Sequence, residues 1–232
     1  MNPKHTTIPK KQLQVVLQWH APVNLDLMAF FRTKDNQTGG VLSSNFPGGN
    51  EDSLTRFPFI QLQPVSADIG VNAQKEECNQ KTLTIATLND LAEVYICALN
   101  YIDAAAGRDS SFANYNGNVI VYDDRGHLVT IPLNSTQKGQ VAVIARIDHG
   151  GDNEVILKNE NSILHFSQFF QTIPGAYLLL LSFNASPPPQ TPFNKKNEKL
   201  FTVSELTGIG VGSYQSSENY ADNVVLGAAR GH

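Results

Sequence analysis

Asn24 and Asp26 are the first residues along this chain whose types and spacing suggest chemistry. They stand two apart in Val23-Asn24-Leu25-Asp26-Leu27-Met28-Ala29-Phe30. In an extended strand both oxygen-bearing side chains leave one face, and Leu25 and Leu27 the other. The polar stretch Gln63 to Lys81 adds Asp68, Asn72, Glu76 and Glu77. Carboxylate, amide and main-chain oxygens gathered from irregular loops suit a hard cation such as Ca²⁺, which takes about six to eight of them. Asp148, Asp152 and Glu154, around the turn Asp148-His149-Gly150-Gly151-Asp152-Asn153, form a second acidic group. Hairpin turns favour such residues for backbone reasons alone.

Other chemistries find less support. The histidines His5, His20, His127, His149, His165 and His232 show neither HxH nor HExxH spacing, so zinc has no local motif. No GxSxG elbow accompanies the many serines. Cys78 and Cys97 lack a CxxC partner; Cys97, within Val94-Tyr95-Ile96-Cys97-Ala98-Leu99, reads as a small core residue and Cys78 as a loop thiol. Gly208-Ile209-Gly210-Val211-Gly212-Ser213 is followed by no Lys and sits in no strand-loop-helix context, so it reads as a bent segment and not a phosphate loop. No nucleophile-base pair or cofactor loop can be named, and no enzyme is expected.

The elements that must position these residues are strands. The chain has 232 residues, 41% hydrophobic and only 16% charged, against about 25% charged in typical soluble proteins. Its surface must be built largely from Asn, Gln, Ser, Thr and Gly. Seventeen Lys+Arg against 21 Asp+Glu give a net charge of −4, which excludes a basic nucleic-acid arm and a charge-driven disordered chain. No apolar run is longer than Ala176 to Leu181, which is far short of the roughly 20 residues of a membrane span. The basic N-terminus is not followed by an apolar signal region, so a cytoplasmic location is expected. The Asn-x-Ser/Thr sites at Asn36, Asn134 and Asn184 accord with chance in a chain so rich in these residues.

Short apolar or alternating runs separated by Gly, Asn, Asp and Pro clusters predict an all-β, two-sheet antiparallel sandwich. Strands are expected at Gln12 to Trp19, Leu25 to Arg32, Phe57 to Leu62, Leu83 to Ile85 and Val94 to Ile102. Asn118 to Tyr122 and Leu128 to Leu133 form a hairpin about Asp123-Asp124-Arg125-Gly126, and Val141 to Ile147 with Glu154 to Asn159 form a second. Asn161 to Gln171 suits a short helix or a strand equally, and Tyr177 to Phe183 reads as a strand. The Pro-rich Ser186-Pro187-Pro188-Pro189-Gln190-Thr191-Pro192 cannot pair in a sheet. The predicted organisation is an N-terminal tail (1–10), a sandwich (11–185) and a Pro/Gly-rich C-terminal extension (186–232).

The order of these features resembles the tellurium-resistance TerD-like domains. Val15-Val16-Leu17-Gln18-Trp19 followed by Asn24-Leu25-Asp26-Leu27-Met28-Ala29-Phe30-Phe31 is similar to that family's LxW strand and its D-L-D strand. Arg56-Phe57-Pro58-Phe59-Ile60-Gln61-Leu62 resembles the F-P-Y-I-x-L strand of the TerA-type branch, and Asp68 to Glu77 stands in the place of the acidic metal loop. Leu88 to Asp103, Phe112 to Asp123 and Gln140 to Ile147 follow in the family's order, so that the likeness spans roughly residues 11 to 175.

The resemblance implies a non-enzymatic β-sandwich that binds Ca²⁺ and takes part in tellurite, stress or phage resistance. The implied metal residues are Asn24, Asp26, Asp68, Glu76 and Glu77. Asn24 stands where an Asp is usual and Gln63 where an Asp is common, which removes ligand charge and implies a weakened calcium site. The implied mechanism is ordering of the Gln63 to Lys81 loop by a cation held between Asp26, Asp68 and Glu77. Protein partners or self-association are expected, within a stress or defence assembly. The alternative expectation is a structural subunit whose C-terminal extension adds a strand to a neighbouring copy.

Overall fold

A computed structural model describes residues 5–9, 11–43, 46, 49–63, 78–149 and 154–185. The extension from 186, the turn at 150–153 and the loop carrying Asp68, Glu76 and Glu77 lie outside the described residues.

Among the described residues eleven strands form two antiparallel sheets. The six-stranded sheet has the order β1-β11-β10-β7-β3-β4, built from β1 (His5–Pro9), β3 (Leu25–Thr33), β4 (Thr38–Val41), β7 (Leu91–Asn100), β10 (Val141–His149) and β11 (Glu154–Leu164). The five-stranded sheet runs β5-β6-β2-β8-β9, from β2 (Leu13–Trp19), β5 (Ile60–Leu62), β6 (Asn79–Ile85), β8 (Asn118–Asp123) and β9 (Gly126–Pro132). The two-sheet sandwich is as expected. Three short α-helices, α1 (Tyr101–Ala105), α2 (Phe166–Thr172) and α3 (Tyr177–Ala185), and one 3-10 turn (Phe112–Tyr115) complete the described elements.

The core between the sheets follows strand alternation. Leu13, Val15, Leu17 and Trp19 on β2 meet Leu25, Leu27, Ala29 and Phe31 on β3, with Leu83 and Ile85 on β6 and Val94, Ile96 and Ala98 on β7. A second apolar cluster covers the other face of the six-stranded sheet, where Met28, Phe30, Cys97, Leu99, Val141 and Val143 pack beneath Phe169, Ile173, Ala176 and Leu179 of the helical segment. Strands β3 and β7 are therefore buried on both faces, which is why they read as continuous apolar runs and not as alternation. Burial pushes the Cys97 thiol well above its usual range.

Several boundaries differ from expectation for identifiable reasons. Residues 5–9, expected in a tail, form β1 and pair with β11 from His5 opposite Lys158 to Pro9 opposite Glu154. The run Val94 to Ile102 stops being strand at Asn100, whose side chain accepts a bond from Asp103 N and caps α1. Of Phe57 to Leu62 only the last three residues pair, because Phe59 takes a left-handed φ of 61°. Asn161 to Gln171 contains both alternatives, the end of β11 and then α2.

Tyr177 to Phe183 is not a strand but lies in α3. An apolar run is as compatible with a buried helix as with a buried strand, and its leucines carry higher helix propensity than β-branched residues would. Gly175 turns the chain into this helix at φ 80°, and a Cβ there would stand 2.2 Å from the Gly39 carbonyl oxygen on β4. Only glycine admits both that dihedral and that approach.

Strand β10 carries a bulge between Val143 and Ala145 that shifts its register with both neighbours. The extra residue reverses the alternation. Val141 and Val143 join the cluster under the helices, while beyond the bulge Ala145 and Ile147 face the inter-sheet core. Arg146 and Asp148 are thereby turned to the outer face, beside Tyr95 and Glu93 of β7.

Candidate functional site

Asp26 sits in β3 opposite Leu99 of β7, and alternates with Met28 and Phe30, not with the inter-sheet residues Leu25 and Leu27. Strand β4 pairs with β3 only over Ala29 to Arg32, which leaves the β4 side of β3 without a partner strand at Asp26 among the described residues. Asp26 is nonetheless 3% exposed. A carboxylate at that depth needs a positive or hydrogen-bonding partner, because stripping its water is costly.

The partner comes from the other sheet. Lys81 of β6 pairs in register with Leu17 of β2 and alternates with the core residues Leu83 and Ile85. Its Nζ donates to Asp26 Oδ1 at 2.6 Å, and the two side chains are only 6% and 5% exposed. Nearby hydrogen bonds to main-chain oxygens hold the connections around the pair. Trp19 Nε1 donates to Val23 O at 2.7 Å and Asn79 Nδ2 to Ala21 O at 3.1 Å, which fixes the β2–β3 turn against the start of β6. Gln63 N donates to Thr82 O at 2.9 Å, closing the base of the loop between β5 and β6.

The expected metal residues are distributed as follows. Asn24 is exposed just before β3, and Asp26 is buried and engaged by Lys81. Asp68, Glu76 and Glu77 lie outside the described residues. Asp26 does not fit the role of a solvated calcium ligand, because it is buried and an ammonium already stands against its carboxylate. Among the described residues no group of three or more His, Cys, Asp and Glu side chains converges where a metal ion could be held. Of the second acidic group, Asp148 is also engaged: Arg146 Nε lies 3.0 Å from its Oδ1, without hydrogen-bond alignment, and Lys158 Nζ contacts its Oδ2.

Sequence reasoning missed Lys81. It closes the polar stretch 63–81 and so looked like the end of a loop. Its spacing of two and four from Leu83 and Ile85 was the available signal that it faces inward.

A ladder of charged and aromatic groups crosses the outer face of the six-stranded sheet where the helices leave it uncovered. Arg32 Nε donates to Glu93 Oε1 at 2.8 Å, Tyr95 OH to Glu93 Oε2 at 3.2 Å, and Arg146 Nη1 to Tyr95 OH at 3.3 Å. The Arg146 guanidinium also lies 5.7 Å from the centre of the Tyr95 ring. Burial raises the Tyr95 phenol above its usual value, partly opposed by the Arg146 hydrogen bond. The bases Arg32, Arg146 and Lys158 face the acids Glu93, Asp148 and Glu160, so the ladder is internally neutralised.

The outer face of the five-stranded sheet is different in kind. Its register brings together Gln61, Thr84, Gln14, Tyr122 and His127 in one row, Thr82, Val16, Ile120 and Thr130 in the next, and Gln80, Gln18 and Asn118 in a third. No Lys, Arg, Asp or Glu stands in these rows. Gln18 Nε2 donates to Gln80 Oε1 at 3.0 Å.

No helix among the described residues is long and apolar enough to cross a membrane. No protein-family model and no curated protein sequence matches the chain. Two solved structures are similar to it. A homologue of the telluride resistance protein TerD from Streptomyces coelicolor A3(2) is 17% identical with a TM-score of 0.42, over 68% of this chain and 94% of that one. A protein of unknown function is 11% identical with a TM-score of 0.42, again over 68% of this chain and 94% of that one. The sandwich itself is established by this chain's own strand pairing.

Proposed function

We propose that the protein is a non-enzymatic TerD-like binding module that works by protein contact in a tellurium-resistance, stress-response or defence assembly, with the outer face of the five-stranded sheet as its contact surface. The assembly is what the sequence resemblance implies. The observation that carries the contact surface is the uncharged grid of Gln14, Gln18, Gln61, Gln80, Asn118 and Thr130 around the half-buried Ile120, with Val16 buried beneath them. Interface centres are depleted of charge, because an ion that loses its water on docking must be repaid by an exact partner. Amide and hydroxyl groups carry less desolvation cost and offer both donors and acceptors.

Affinity purification of the tagged full chain tests this, comparing wild type with Gln14→Glu/Gln18→Glu/Gln80→Glu. Three new carboxylates on adjacent strands leave the core untouched, so circular dichroism should be unchanged while the associated proteins fall at least tenfold. Recovery of the same proteins in the same amounts from the triple variant would reject this face as the contact surface.

A further inference from the structure

We infer that the Lys81 ammonium is the resident cation of the Asp26 site: this chain supplies from its own second sheet the positive charge for which the sequence resemblance implies a divalent metal. The inference stands apart from the proposed contact surface, since both residues are buried and neither belongs to that face.

Electrostatics, position and charge count lead to it together. A carboxylate 3% exposed, alternating with Met28 and Phe30 and opposite Leu99, has no room for an unpaired charge. The group that reaches it is an ammonium almost equally buried, 2.6 Å away. That ammonium belongs to the third residue of β6, the strand that receives the loop after β5, whose other end is fastened by Gln63 N to Thr82 O. The pair thus ties the end of this loop to the opposite sheet, which is the task assigned to a cation by the resemblance.

The charges also balance. With Asn24 neutral, the described groups at this point are one carboxylate and one ammonium. A divalent ion on the remaining Asp26 oxygen would stand within a few ångströms of the ammonium, where like charges in a poorly solvated setting repel strongly. Metal and lysine therefore exclude each other at Asp26, and the chain carries the lysine.

Thermal melting of the full-length protein in excess Ca²⁺ and in excess chelator tests the inference. Wild type should melt at the same temperature in both. Lys81→Met, which keeps the apolar stem and removes the charge, should melt several degrees lower in chelator, whereas Lys81→Arg should retain most of the stability. Should Lys81→Met fail to fold, Lys81→Met/Asp26→Leu remains informative, because removing both charges should restore a cooperative transition in chelator. A calcium-induced rise in the wild-type transition that Asp26→Asn abolishes would overturn the inference, as would a Lys81→Met protein that melts like wild type.

Discussion

The ring of Phe169 on α2 meets the ring of Phe30 on β3 edge-on, with centroids 5.4 Å apart and planes 76° from parallel. Both rings are fully buried, and this contact seats the helical segment on the six-stranded sheet. Phe169→Ala should destabilise the protein by about 3–5 kcal/mol, the range for deleting a buried aromatic ring. Urea unfolding monitored by circular dichroism measures it; a loss below about 1 kcal/mol would mean that the helices contribute little to the fold.

Gly175 is the second anchor of the same segment. Its φ of 80°, and the Gly39 carbonyl oxygen 2.2 Å from where a Cβ would stand, leave no place for a side chain. Gly175→Ala should cost more than the roughly 1 kcal/mol of a positive-φ glycine alone, because backbone must also move. Increased proteolysis within α3 at unchanged sheet signal is the expected pattern, and protease resistance equal to wild type would contradict it.

Removing one charge of the Asp26–Lys81 pair should be far worse than removing both. Either single neutral substitution strands the other ion in the interior, at a cost of about 3–5 kcal/mol, whereas an apolar pair of similar volume is often neutral. A double-mutant cycle over Asp26→Leu and Lys81→Met should therefore show strong coupling. Additive losses would show that the two charges act separately.

Asp52 should make stability depend on pH. Burial raises its carboxyl from 3.8 to about 6, against weaker lowering by the Ser53 backbone and Arg56. A carboxyl with a raised folded pKa holds its proton more tightly in the folded state. Its contribution is therefore complete below the unfolded value and is lost as pH rises through the folded one. Stability should fall between about pH 4 and pH 6 from this group, and Asp52→Asn should remove that decline. Asn also tolerates the left-handed φ of 42° at this position. Identical pH profiles for the two proteins would rule Asp52 out as the source.

Arg146 is the centre of the outer ladder, touching Tyr95, Asp148 and Glu160. Arg146→Met should cost about 1 kcal/mol, shrinking in high salt, since the groups remain partly solvated. It should also raise the Tyr95 phenol further, because the hydrogen bond that lowers it is lost. Alkaline absorbance titration of Arg146→Met against wild type, with Tyr95→Phe to identify the signal, checks the direction.

Much of the sandwich was determined locally, and so was legible in the sequence. The β8–β9 hairpin follows from alternation on each side of a turn whose Gly126 takes a φ of 123°, and alternation of Leu13, Val15, Leu17 and Trp19 marks the buried face of β2. Apolar segments without alternation were ambiguous, because periodicity carries no information once every face is buried; Tyr177 to Ala185 became a helix through its contacts with the sheet and the turn at Gly175. The site was divided in the same way. Asp26 could be singled out from its neighbours, but the partner that decides its chemistry is 55 residues away on the other sheet. Only the packing of the two sheets brings the Lys81 ammonium to that carboxylate, and a buried charge is defined by what packs against it.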